Sequence, residues 1–476
     1  MGDKIFSNFI WRFLERWGAQ GVTFIVSIIL ARILEPEVYG TLALVTVFTT
    51  LLQVFIDSGL GTALIQKTDA DDLDFSTVFW FNLVVCICLY AVMFAFAPAI
   101  ARFYNSSDLT RVIRVLSITL IVSGVKGIQQ SYIARHLMFK KFFFATLGGT
   151  LGAAALGIVM AYRGLGVWAL VAQYLFNNVV DTIILWATVE WRPSLCFSWK
   201  RFKQLFNYGW KILLSSLLDT FYNETRSLII GKFYTSTDLA FYDKGKQFPE
   251  VAVVNINSSM NSVLLPVLAN RQDNLEAVKS ATRRVIRMSS YIIWPMMVGL
   301  AVVASNFITI VLTDKWLPAT FFVQVLCFSN ALQPLQTTNL SVVKALGRSD
   351  LHLKMEIIKK LIAIIVVIIS AFFGVKAIAI GALIYSLIAT FINSYPNKKL
   401  INYSYREQIK DIIPFIVMSL VMGIFVYLVG LLNMRTIVVF ALQIVVGVIV
   451  YLTISIIIKI ETLDYTLKMV QKLIKK

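Results

Sequence analysis

The feature that most constrains this chain is a succession of apolar runs, each near 20 residues or longer, separated by short polar segments. Wound as a helix at ~1.5 Å per residue, about 20 apolar residues match the roughly 30 Å of a bilayer's hydrocarbon core. Backbone groups in hydrocarbon must be bonded internally, so a spanning chain is either helical or a closed barrel. Barrel strands read as alternating segments of about ten residues. The runs here are continuous, which selects helices. Composition agrees: 58% of the 476 residues are hydrophobic and 15% are charged, against about 25% charged in a soluble domain. The chain is therefore expected to be an all-α polytopic membrane protein.

The spacing predicts about fourteen transmembrane helices. They fall at approximately 8–32, 40–66, 77–101, 112–135, 142–162, 166–189, 206–231, 239–268, 285–312, 319–344, 354–373, 376–396, 411–431 and 436–458. The formal net charge of +18 does not point to nucleic acid, because the cations sit in short loops and follow the positive-inside rule. Arg135, Lys140, Lys141, Arg192, Lys200, Arg201, Lys203, Arg283, Arg284, Arg287, Lys359, Lys360, Lys398, Lys399 and the terminal Lys472, Lys475 and Lys476 share one side. That asymmetry predicts that both termini are cytoplasmic. The 4 Cys and 2 His have neither disulfide nor metal spacing, and no cofactor is expected. No small-residue cleavage site follows the basic N-terminus, so no removed signal peptide is read.

An internal repeat organises the runs. Ser27–Arg32 (SIILAR) is followed by Glu37-Val38-Tyr39-Gly40, and about 200 residues on, Ser227–Lys232 (SLIIGK) is followed by Asp238–Tyr242. An even number of helices between the copies gives them one orientation, as in transporters with parallel repeats. The expected organisation is an N-terminal lobe of about six helices over 1–190 and a cytoplasmic amphipathic linker over 191–205. A second lobe of about six follows over 206–400, then two further helices and a basic tail over 401–476. Ser198–Phe206 (SWKRFKQLF) reads as an interfacial helix or a basic connector. The last two helices read first as lipid-facing packing and second as a place to hold a lipid tail near the lobes.

Ionisable residues inside spans are expensive and usually face a cavity or a partner. Arg12, Glu15, Arg16, Gln20, Thr23 and Ser27 step by three or four along the first helix, so they share a face. Lys211, Ser215, Asp219, Asn223 and Arg226 do the same on the seventh. Thr46, Thr49, Gln53 and Asp57 lie on the second, Lys246, Glu250, Asn257 and Asn261 on the eighth, and Asn330, Gln333, Thr337 and Lys344 on the tenth. Together they predict a polar, basic cavity between the lobes. Arg12, Arg16, Lys211, Arg226, Lys244 and Lys246 are its candidate substrate-binding cations, suited to phosphate. Glu15, Gln53, Asp57, Asp219, Asn223 and Glu250 are its candidate polar or coupling groups. Bland readings stand beside these: snorkelling for Arg12, Arg16 and Lys211, a mutually neutralised cluster for Arg12, Glu15 and Arg16, interfacial anchoring for Lys244 and Lys246, and a structural carboxylate for Asp57. Lys126 in the fourth helix is a weaker candidate.

Several ordered segments carry a family resemblance: Phe55–Gln66 (FIDSGLGTALIQ), Arg135–Lys141 (RHLMFKK), Gly164–Val171 (GLGVWALV), Trp191–Phe197 (WRPSLCF), Gly231–Thr237 (GKFYTST) and Leu239–Lys246 (LAFYDKGK). In them the chain resembles the polysaccharide transporter branch of the multidrug/oligosaccharidyl-lipid/polysaccharide exporter superfamily, which includes Wzx-type flippases and colanic-acid and teichuronic-acid exporters. Where family members often carry Asn then Arg after the tyrosine that opens the eighth helix, this chain has Tyr242-Asp243-Lys244. An acid there puts a direct phosphate contact in doubt. The resemblance implies a transporter, not an enzyme. It would export undecaprenyl-diphosphate-linked oligosaccharide by alternating access, with the lipid tail left in the bilayer.

The expected partners are that lipid-linked substrate, membrane lipids, an H+ or Na+ ion if flux is gradient-driven, and a polysaccharide polymerase as a candidate downstream partner. No GxxxxGKS phosphate loop occurs in the sequence, which argues against ATP hydrolysis on this chain. Two other classes stay open. One is a multidrug exporter of the same superfamily, for which Asp57, Asp219 and Glu250 speak. The other is a membrane polysaccharide polymerase or glycosyltransferase, for which only the short Glu35-Pro36-Glu37 loop speaks.

Overall fold

The computed structural model describes residues 18, 20–57, 59–67, 69–106, 108–136, 138–269 and 273–460. Their regular structure is helical: α1 (Gln20–Ile33), then α2 (Pro36–Asp57), α3 (Leu60–Gln66), α4 (Asp72–Phe103), α5 (Leu109–Leu116), α6 (Ile118–His136), α7 (Phe139–Tyr162), α8 (Val167–Thr188) and α9 (Trp199–Phe233). After them come α10 (Ser236–Ala269), α11 (Leu275–Val311), a 3-10 turn at Asp314–Trp316, α12 (Ala319–Ala331), α13 (Gln333–Ala345), α14 (Ser349–Ala371), α15 (Val375–Ser394), α16 (Asn397–Ile401), α17 (Tyr405–Gly430) and α18 (Thr436–Ile457). Each expected span coincides, in its described part, with one helix or two in succession. Among the described residues 9 helices are long and apolar enough to cross a membrane by length and composition. α9, at 35 residues, is long enough but too polar to be among them. Ser198–Phe206 forms the cap and first turns of α9, continuous with it.

Contacts divide the chain into two units, Met1–Ala240 and Phe241–Lys476. The first contains α9, which packs along α2, α3 and α4. Glycines set how closely these helices approach. A Cβ on Gly40 of α2 would lie 1.7 Å from the Ser236 carbonyl oxygen, one on Gly231 of α9 would lie 2.0 Å from Leu44 Cδ2, and one on Gly209 would lie 2.9 Å from the Gly59 carbonyl carbon. α9 thus runs antiparallel to α2–α3 with near backbone contact at both ends. The internal repeat is visible here: α1 breaks at Leu34-Glu35 before α2, and α9 breaks at Tyr234-Thr235 before α10, about 200 residues later.

The segments that carry the family resemblance are the joints of this unit. Arg135 donates to the Leu64 carbonyl at 2.8 Å and to that of Lys67, pinning the end of α3. Gly164 and Gly166 take φ of +75° and +55°, which lets α7 turn back into α8 over a few residues. Trp191 is buried against Phe75, Phe79 and Tyr132. Asp71 caps α4 in a capping box with Asp74, and both acids meet Arg201 of α9 at 2.6 and 3.1 Å. Desolvation opposes ionisation of Asp71, but the Asp74 N–H and the Arg201 guanidinium outweigh it and hold the carboxyl below its ordinary range.

In the second unit α11 is the central strut, packed against α12, α13, α17 and α18. Arg283 of α11 makes a bidentate pair with Asp411 of α17, both bonds at 2.7 Å, and Tyr403 donates to the same carboxylate. Tyr291 donates to Ser455 at 3.1 Å, and Asn306 donates to Gln443 at 3.0 Å, both on α18. The last two helices therefore bury one polar-tied face each, while Ile424, Leu428, Ile444 and Val448 stay exposed on the other.

The glycine contacts give a direct test. Gly40→Ala must push α2 off the α10 entry at the order of 1–3 kcal/mol for overpacking. Gly21→Ala meets nothing within 4 Å and gains up to ~1 kcal/mol of helix propensity. Melting in detergent is expected to fall for Gly40→Ala and to hold or rise for Gly21→Ala. Equal melting of the two would contradict the close approach.

Candidate functional site

The first unit carries an open cavity of about 500 Å³, within the roughly 300–1,000 Å³ usual for small-ligand sites. α2 supplies Thr46, Thr49 and Gln53, which face one way because they step by three and four. α6 supplies Ser123 and Lys126, and α8 supplies Tyr174 and Asn178. The Thr46 and Thr49 hydroxyls donate to backbone carbonyls of their own helix, at 2.8 Å to Ala43 and 3.1 Å to Thr46. That leaves their lone pairs as acceptors.

Lys126 is the cation at this cavity, and it is held on both sides. Its ammonium donates to Asn178 Oδ1 and to Asp181 Oδ2, each at 3.0 Å. The Lys126 and Asp181 side chains are 13% and 9% exposed, so the pair is largely desolvated. Asn178 is fixed in turn by donating its amide to the Tyr174 carbonyl at 3.0 Å. With its charge balanced by Asp181, the lining offers hydroxyl, amide and ammonium groups suited to a polyhydroxylated ligand rather than to a high net charge.

The sequence-predicted residues fall in several places. Gln53 lines this cavity. Arg12, Glu15, Arg16 and the side chain of Asp57 lie outside the described residues. Lys211, Ser215, Asp219 and Asn223 occupy one exposed ridge of α9, with Arg226 half-buried one turn further. In the second unit Lys244 is buried and donates to Gln247 at 3.1 Å. Lys246 pairs with Glu250 at 3.6 Å along α10, and Asn257 donates to Gln333 of α13 at 3.1 Å. Sequence reasoning missed Asn178 and Asp181. The signal was present: Asp181 is an acid inside an apolar run, and Lys126 is a cation inside another, so each demanded a partner.

Breaking a buried pair from one side costs about 3–5 kcal/mol, whereas replacing both partners is near neutral. Lys126→Met alone is therefore expected to lower the melting temperature in detergent more than Lys126→Met combined with Asp181→Asn. A double variant no more stable than the single one would mean that the pair is not coupled.

Comparison with known proteins places the chain. A family model described as polysaccharide biosynthesis protein matches residues 29–321. The teichuronic acid biosynthesis protein TuaB of Bacillus subtilis (strain 168) is 27% identical over 311 residues, covering 64% of this chain and 63% of that relative, just under two thirds of its length. The lipopolysaccharide biosynthesis protein WzxC of Escherichia coli (strain K12) is 23% identical over 433 residues, covering 89% and 88%. Among solved structures, the lipid II flippase MurJ in an inward closed conformation superposes with a TM-score of 0.78 at 14% identity, covering 94% of this chain and 98% of that one. An inward-facing multidrug resistance MATE family transporter of the MOP superfamily superposes with a TM-score of 0.61 at 15% identity, covering 80% and 94%. The fold is the one these multi-pass membrane transporters share.

Proposed function

Because the chain belongs to the family of polysaccharide biosynthesis proteins, we propose that it is a flippase for lipid-linked saccharide, moving undecaprenyl-diphosphate-linked oligosaccharide across a bacterial inner membrane by alternating access. The observation that best supports the reading is the hydroxyl- and amide-lined cavity around Lys126 in an otherwise apolar helical bundle. Such groups recognise sugar hydroxyls. The names of the relatives point the same way, since TuaB and WzxC act in the biosynthesis of teichuronic acid and lipopolysaccharide.

In this proposal the head group is shared between kinds of contact. Sugars meet Thr46, Thr49, Gln53 and Asn178. The diphosphate meets cations of the first and seventh helices of the sequence reading, Arg12, Arg16, Lys211 and Arg226. Lys244 and Lys246 are further candidate contacts, and Glu15, Asp57, Asp219, Asn223 and Glu250 are candidate polar or ion-coupling groups. The two halves of the repeat would serve as lobes, with both termini cytoplasmic. An H+ or Na+ gradient, or consumption of product by a polymerase outside, would drive net flux.

The test is a deletion strain assayed for lipid-linked oligosaccharide, with outer-face accessibility scored separately. Complete saccharide units are expected to accumulate on the cytoplasmic face and to be released when the gene is restored. Normal translocation in the deletion strain, with other flippases also removed, would refute the proposal.

A further inference from the structure

α9 presents two unlike ridges side by side on its uncovered surface. Lys203, Asn207, Lys211, Ser215, Asp219 and Asn223 follow one another at intervals of four and are all exposed. Phe206, Trp210, Leu214 and Leu218 form a parallel row at the same interval, 40%, 41%, 49% and 56% exposed. Rows at i, i+4 run together at about 26° to the helix axis, so the polar and apolar rows stay adjacent as they climb. At ~1.5 Å per residue the polar row rises about 30 Å from Lys203 to Asn223, the thickness of a hydrocarbon core, and the apolar row about 18 Å from Phe206 to Leu218. A surface facing only lipid would not carry the polar row, and one facing only water would not carry the apolar row.

We propose that α9 is a composite track, on which a polyprenyl chain lies along Phe206, Trp210, Leu214 and Leu218 while its diphosphate-sugar head follows Lys203, Lys211, Ser215 and Asn223. This rests on the flippase reading and adds where the lipid runs. Charge supports the occupant: the cations Lys203 and Lys211 lie toward one end of the polar row, suited to a diphosphate. The apolar row matches a long hydrocarbon chain, which needs continuous contact rather than a pocket. The close glycine contacts of α9 with α2 and α3 occupy another part of the helix surface, and both rows stay exposed beside them.

The test is photo-crosslinking in proteoliposomes of the full chain, with p-benzoylphenylalanine placed at Phe206, Leu214 or Leu218. A control carries it at Ile365 of α14, which is equally apolar and 55% exposed. The probe is undecaprenyl diphosphate carrying one radiolabelled N-acetylhexosamine. Adduct yield is expected to be several-fold higher at the α9 positions than at Ile365, and unlabelled polyprenyl diphosphate is expected to compete it away. The Phe206 position exchanges one aromatic ring for another, which guards against a folding defect. Each variant is also scored for restored export in the deletion strain. Restored export with equal adduct yields at α9 and Ile365 overturns the track and leaves the flippase standing. Failure of the wild-type chain to restore export overturns the flippase reading, and the track with it.

Discussion

A peptide group or a charged side chain in hydrocarbon finds no water, and every feature of this protein answers to that fact. The backbone answers by forming helices throughout its described length. The side chains answer by pairing. Lys126 and Asp181 lie in spans 55 residues apart in sequence yet meet at 3.0 Å. The pair is a weak argument for net stability, since desolvation offsets much of its attraction. It does fix register, because a helix that slid by one turn would strand a charge in lipid.

Close packing supplies the rest of the first unit. Without a hydrophobic driving force between helices in lipid, association depends on small residues that let backbones approach. Gly59, Gly209 and Gly231 do this where α9 meets α2 and α3, and Gly40 does it at the entry of α10. The result holds a helix of membrane-spanning length that is too polar to be an ordinary span. Such a helix stays in a membrane only if its polar row meets water, a ligand or another polar surface.

Much of this was legible in the sequence. The apolar runs located the helices, and the 3- and 4-residue steps placed Thr46, Thr49 and Gln53 on one face of α2, the face that lines the cavity of the first unit. The recurrence of SIILAR as SLIIGK marked the matching breaks before α2 and α10. What escaped was pairing across helices. Nothing local joins Lys126 to Asn178 and Asp181, because their meeting depends on how α6 packs on α8. Trp191 and Arg135 were visible only as family segments. Their work as joints, a buried ring and a clamp on carbonyls, needs the folded neighbours to be seen. The exposure of the apolar row of α9 is not legible in the sequence, because an apolar stripe on a helix ordinarily marks the face that packs on the core.

The most direct measurement is water accessibility along α9 in the membrane. Single cysteines would replace Lys203, Asn207, Lys211, Ser215, Asp219 and Asn223, and separately Phe206, Trp210, Leu214 and Leu218, in a chain freed of Cys86, Cys88, Cys196 and Cys327. A hydrated path along α9 predicts that a charged, water-soluble thiol reagent labels the polar row along its whole length and spares the apolar row beyond its first turn. Labelling that stops after the first turn of both rows would mean that lipid or protein covers α9 entirely, and would contradict a hydrated path along it.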